Sequence, residues 1–141
     1  MSSSAYADIL KRIEAALNAA RVVFSRFRLG EVEAEYKIGH DPVTEADRAI
    51  DEVLRRHLLR EGEGWLSEES VDDESRLSKS RVWIVDPLDG TREFVAGIPE
   101  FCVSIGFVEN GRPVAGGARS SAAPDCRYAW IWRCSRSRYR R

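Results

Sequence analysis

The chain has 141 residues, 43% of them hydrophobic and 32% charged, which is single-domain size with enough apolar material for a core. No stretch approaches a membrane span, and the polar opening Met1-Ser2-Ser3-Ser4 is not a signal peptide. Cys102, Cys126 and Cys134 give neither a zinc pattern nor a disulfide frame, so a reduced, cytoplasmic setting is expected, and the net charge of −1 conceals an acidic body and a basic end.

Ser4 is placed to cap a first helix in which Ile9, Ile13, Leu17, Ala20 and Phe24 recur at helical spacing, fading near Leu29 with Gly30 as its stop. The charged segment 31–40 predicts an extended or hairpin-like connection. A second helix starts at Thr44, where Thr44-Glu45-Ala46-Asp47 fits a capping box; Ala46, Ile50, Val53, Leu54 and Leu58 form its inward stripe. Gly62 and Gly64 end that region, Trp65-Leu66-Ser67 reads as a short strand, and 71–80 as a polar surface loop. The β-rich run Val82 to Val85 reads as a strand covered on both faces, and Thr91 to Ala96 as a short helix. Phe101 to Val108 alternates, with Val103, Ile105 and Phe107 on one face and Cys102, Ser104 and Gly106 on the other. Asn110-Gly111 is a hairpin signal returning through 112–117. Cys102 reads as a small core residue, and Trp65 and Trp83 as core. Helices first and strands after predict an α/β layered domain rather than a doubly wound sheet.

The chemistry concentrates in Asp86-Pro87-Leu88-Asp89-Gly90-Thr91. Asp86 falls at the C-terminal edge of a strand, Pro87 prevents simple continuation of the ladder, and Asp89 returns on the same tight turn. Two carboxylates converging at a low-dielectric rim repel unless a cation lies between them, and hard oxygen donors suit Mg²⁺ or Mn²⁺. Asp-Pro and Asp-Gly are also common turn formers, so a plain turn is the competing reading. Gly90 and Thr91 offer N–H groups where a helix begins, a favourable place for an anion, and Gly90 lets a phosphate come close to the main chain. Glu68 and Glu69 read either as acids at the end of a neighbouring strand or as part of a solvated acidic loop. Asp47 is explained by the capping box alone. His40 and His57 read as solvated or packed.

Three ordered segments, Asp41-Pro42-Val43-Thr44-Glu45-Ala46-Asp47, Leu66-Ser67-Glu68-Glu69-Ser70 and Asp86-Pro87-Leu88-Asp89-Gly90-Thr91-Arg92-Glu93-Phe94, resemble the motifs of the inositol monophosphatase superfamily, over about Tyr6 to Gly117. That superfamily comprises Mg²⁺-dependent, typically Li⁺-sensitive phosphatases and includes the 3′(2′),5′-bisphosphate nucleotidases. The resemblance implies the first half of an αβαβα sandwich and a Mg²⁺-dependent phosphomonoesterase of small metabolites, with two or more Mg²⁺ ions for which Mn²⁺ could substitute. It implies Glu68, Asp86 and Asp89 as metal carboxylates, with the Leu88 carbonyl as a further ligand. It also implies Thr91, partnered by Asp47, as the group that orients the attacking water, and Glu68 among the catalytic residues. Lys37 resembles a family lysine out of register by one position. Thr91-Arg92-Glu93-Phe94 is similar to the nucleotidase form of the motif, and 101–106 to the inositol monophosphatase form; the second is preferred and the substrate is left open. Such relatives commonly form homodimers.

From Ala118 to Arg141 there are seven arginines, one acid and no lysine. Family members are about twice as long, and no Trp-Asp-x-Ala-type motif supplying a further metal aspartate occurs here. The expectation is therefore a family domain over 1–117, then an aberrant or out-of-frame ending over 118–141, the whole being a truncated product with weak activity or none. One competing reading makes the ending a basic arm for nucleic acid, its Tyr128, Trp130, Trp132 and Tyr139 stacking on bases. Another makes the chain a non-catalytic half-domain that pairs with a second chain.

Overall fold

A computed structural model describes residues 3–36 and 42–120. Helix α1 (Ser3–Phe24) is followed by the short antiparallel pair β1 (Ala34–Tyr36) and β2 (Pro42–Thr44), then by helix α2 (Glu45–Leu58). Strand β3 (Gly64–Ser67) leads through a loop carrying one 3₁₀ turn (Ser75–Ser78) into β4 (Arg81–Asp89). Helix α3 (Thr91–Val95) and the hairpin β5 (Cys102–Glu109) and β6 (Arg112–Ser120) complete the described chain. Four strands form one sheet in the order β3-β4-β5-β6, with β3 parallel to β4 and the other pairs antiparallel. The architecture is mixed α/β in layers, as the element order predicts.

Both long helices lie on one face of this sheet, α2 over β4 and α1 over β5 and β6. Ile9, Ile13, Leu17, Ala20 and Phe24 of α1, and Ala46, Ile50, Leu54 and Leu58 of α2, meet Trp83, Val85, Val103, Ile105 and Phe107 in one core. Val53 is only partly buried at its margin. Gly117 permits a close helix–sheet approach, since a Cβ there would lie 2.8 Å from Ile13 Cγ2. Helix α1 ends at Phe24, five residues before Leu29, and Ser4 lies inside it rather than capping it. Asn110 and Gly111 both have positive φ, 50° and 72°, the conformation that a tight two-residue hairpin requires.

The second face of the sheet is uncovered among the described residues. Ile84 is 43% exposed, and with Gly106, Gly116 and Pro113 it lines a shallow hollow of about 530 Å³ that has Asp86 at one end. The expectation that Val82 to Val85 is covered on both faces is thus corrected: Trp83 and Val85 are buried under the helices, while Ile84 points away from them. Cys102 is likewise not core, because strand alternation places it with Ser104 and Gly106 on the side away from the helices. Trp65 is partly buried, with the Arg55 guanidinium 6.0 Å from its ring centre. The last strand reaches Ser120, which pairs with Cys102, so regular structure runs three residues past the Gly117 boundary. Lys37, His40, Asp41, Cys126, Cys134 and the aromatics from Tyr128 to Tyr139 lie outside the described residues. No described helix is long and apolar enough to cross a membrane.

Candidate active site

The site is assembled from the C-terminal ends of β3 and β4 and the start of α2. Thr44 caps α2 in extended conformation, and Asp47 closes the capping box: its Oδ2 accepts from Thr44 N–H at 2.7 Å and lies 2.5 Å from Thr44 Oγ1. The Asp47 side chain is 1% exposed, and its other oxygen, Oδ1, is 2.8 Å from Thr91 Oγ1. Cap and long-range contact therefore coexist. A carboxylate fixed by a helix start holds the hydroxyl of a residue 44 positions away. Thr91 Oγ1 is also 2.9 Å from the Leu88 carbonyl oxygen, so its single proton has two acceptors in reach.

Strand β4 does not end at Pro87. Its ladder with β5 breaks after Asp86 and resumes at Asp89, opposite Cys102, with the imino residue inside the irregularity. That bulge turns Asp86 and Asp89 toward one rim. Asp86 Oδ1 also accepts from Leu88 N–H at 3.2 Å, so the turn-forming role and the presentation of a carboxylate are both real. Gly90 follows with φ of 95°, and a Cβ there would fall 2.6 Å from the Glu100 carbonyl oxygen. Its glycine is thus demanded by the chain's own packing, before any ligand is considered.

Because β3 runs parallel to β4 with Ser67 opposite Val85, Glu68 emerges beside Asp86. Glu68 and Asp89 are exposed, while Asp86 is partly buried between them. Burial first, then the negative charges of Glu68 and Asp89, push the Asp86 carboxyl from its ordinary 3.8 up to about 7. The Cys102 thiol, 3.9 Å from Asp89 Oδ2, is pushed up by burial and by the charges of Asp89 and Asp86.

Carboxylates on two adjoining strands, a backbone carbonyl and an open solvent side make a donor set suited to a hard divalent cation. Asp86 is raised first by its own burial and then by the charges of Glu68 and Asp89 beside it. Among the described residues no three His, Cys, Asp or Glu side chains already close around one point. Asp47, Glu68, Asp86, Leu88, Asp89, Gly90 and Thr91 fall in one region. His57 is exposed, its ring nitrogen 2.8 Å from the Val53 carbonyl, and takes no part.

Sequence reasoning passed over one member of the neighbourhood, Asp51. It accepts from Ser67 Oγ at 2.5 Å and from Ser70 Oγ at 2.6 Å. The signal was present: Asp51 stands four residues after Asp47, on the same side of α2.

The family profile described as "Inositol monophosphatase family" matches residues 6–125. An inositol-1-monophosphatase of Mesorhizobium japonicum is 40% identical over 121 residues, covering 82% of this chain and 44% of the relative. A histidinol-phosphatase of Mycobacterium tuberculosis is 36% identical over 111 residues, covering 77% and 42%. Among solved structures, an inositol monophosphatase of Thermotoga maritima superposes with a TM-score of 0.66 at 31% identity, covering 79% of this chain and 45% of that one. An inositol monophosphatase/NADP phosphatase complexed with Mg²⁺ and phosphate shares the fold at a TM-score of 0.71 and 24% identity, covering 81% and 44%. The chain thus spans less than half the length of these relatives, which are phosphatases of a metal-dependent family. It belongs to the inositol monophosphatase family.

Proposed function

We propose that this chain carries the metal-binding and water-orienting part of a phosphomonoesterase site for a small phosphorylated metabolite. The observation that carries the reading is the Thr91 hydroxyl held on buried Asp47, next to strand ends that present Glu68, Asp86 and Asp89. Glu68, Asp86, Asp89 and the Leu88 carbonyl would hold Mg²⁺, two or more ions in the family's manner. Bound Mg²⁺ supplies charge neutralisation for phosphoryl oxygens and makes water more acidic.

The chain's own groups then have separate tasks. Asp47 accepts the Thr91 proton, which leaves the lone pairs of Thr91 Oγ1 to accept a hydrogen bond from a water and aim it. Glu68, exposed at the rim, is placed to take the proton which that water gives up. Gly90 caps α3 and Thr91 begins it, and N–H groups at a helix start have no partner within the helix, so a phosphate oxygen could accept from them. α3 has only five residues, so local amides rather than a long dipole would do this.

Inositol phosphate is the favoured substrate class, in keeping with the 40% identical relative. Histidinol phosphate and adenosine 3′,5′-bisphosphate are the comparison arms. The test is phosphate release from each, with Mg²⁺ and with chelator. Weak Mg²⁺-dependent release is expected of this span, greatest from inositol 1-phosphate and abolished in Asp89→Asn. Release that persists without Mg²⁺, or that survives Asp89→Asn, contradicts the reading.

A further inference from the structure

We propose that Asp51 is a positioning residue that sets Glu68 for metal binding; this rests on the reading of Glu68 as a metal carboxylate. Asp51 stands on α2, one turn beyond Asp47, and both its oxygens are engaged by hydroxyls on either side of the Glu68-Glu69 pair. Ser67 Oγ is 2.5 Å from Oδ1, and Ser70 Oγ is 2.6 Å from Oδ2. Each serine passes the constraint on. Ser67 Oγ accepts from Glu69 N–H at 3.2 Å, and Ser70 Oγ accepts from the Trp65 indole N–H at 3.4 Å. One carboxylate on a rigid helix thereby closes the chain over Glu68, from the last residue of β3 to three residues later.

The polarity of the network requires a carboxylate. A serine hydroxyl has one proton, and with Asp51 accepting it the oxygen is free to receive the Glu69 amide or the indole. An amide at position 51 keeps the shape but presents an N–H donor to one of the two serines, whose own proton then loses its acceptor and must turn elsewhere. Helix α2 thus serves the site twice. Asp47 fixes the Thr91 hydroxyl, and Asp51 fixes the backbone that carries Glu68, so the spacing between the two is set within one helical turn.

Outer groups that orient metal ligands typically cost about 10–100-fold in metal affinity when removed. The experiment titrates Mg²⁺ by calorimetry into wild type, Asp51→Asn, Ser70→Ala and the control Glu52→Gln, each with its chelator-treated melting temperature. Amide exchange at Glu69 is followed by NMR without metal. Expected are Mg²⁺ binding weakened at least tenfold in Asp51→Asn, a several-fold loss in Ser70→Ala, faster exchange at Glu69, and no change in Glu52→Gln. Mg²⁺ affinity within threefold of wild type in folded Asp51→Asn, or in Ser70→Ala should the former not fold, overturns the positioning role. Wild type taking up no Mg²⁺ overturns the reading of Glu68 itself, a failure distinct from the first.

Discussion

Asp47 shows how one carboxylate serves folding and chemistry together. It satisfies the first turn of α2 through Thr44 and reaches Thr91 with its second oxygen, while being 1% exposed. Asp47→Ala removes both sets of bonds, so it should lower unfolding free energy by about 1–3 kcal/mol in urea titrations. Thr91→Val breaks only the second set and should cost about 1 kcal/mol. If the two losses simply add in the double variant, the contact is not energetically real. Asp86 makes a prediction of opposite character. Its carboxyl is pushed up to about 7 in the fold, above its ordinary 3.8, so the folded chain binds the extra proton between those values. The stability it contributes is complete below the ordinary value and is lost as pH rises through about 7. Metal-free urea midpoints should therefore fall from about pH 5 to about pH 8, and Asp86→Asn should flatten that fall.

At the scale of elements, the site depends on the way β4 is anchored at one end and turned at the other. Near its start, Trp83 is wholly buried and donates its indole N–H to Glu63 at 2.8 Å, while the Arg12 guanidinium lies 4.9 Å from the ring centre and pairs with the same carboxylate. Burial alone would raise the Glu63 carboxyl, but the hydrogen bonds from Arg12 and Trp83 and the charge of Arg12 outweigh it and hold the group below its ordinary 4.5. Its contribution is present above that value and lost as pH falls through the folded one, the reverse of Asp86. Glu63→Ala leaves the Arg12 charge, whose side chain is 5% exposed, with only the longer ion pair to Asp8 at 3.8 Å and the Leu58 carbonyl, and should cost about 3 kcal/mol by thermal or urea unfolding. At the far end, Gly90→Ala combines a φ of 95° with a contact on the Glu100 carbonyl and should cost about 1–3 kcal/mol.

Much of this scale was legible in the sequence for identifiable reasons. The stripes of α1 and α2, the capping box and the Asn110-Gly111 turn are local signals, each written within a few residues. Three features needed the third dimension. The bulge that carries β4 past Pro87 depends on what β5 places opposite. The Asp51 contacts depend on α2 lying beside the end of β3. The Glu63 cluster joins residues up to 51 positions apart, and no spacing rule pairs them.

Over the whole molecule, two helices back a four-stranded sheet, and the acids gather where β3 and β4 end, close to the start of α2. The opposite sheet face, with Ile84 exposed and Gly106 and Gly116 flattening its middle, is uncovered among the described residues. The family match and the chain's span of about 44% of the M. japonicum relative frame the proposed activity as that of a site to which Glu68, Asp86 and Asp89 are proposed to contribute metal carboxylates. That claim is tested most directly by calorimetric titration of the chain with Mg²⁺ near neutral pH, in two buffers of different ionisation enthalpy. The account predicts saturable millimolar binding with release of protons, since Asp86 must lose its proton to accept the ion, and loss of both signals in Asp86→Asn. Absence of Mg²⁺ uptake by the folded wild type, or uptake unchanged in Asp86→Asn, would contradict it.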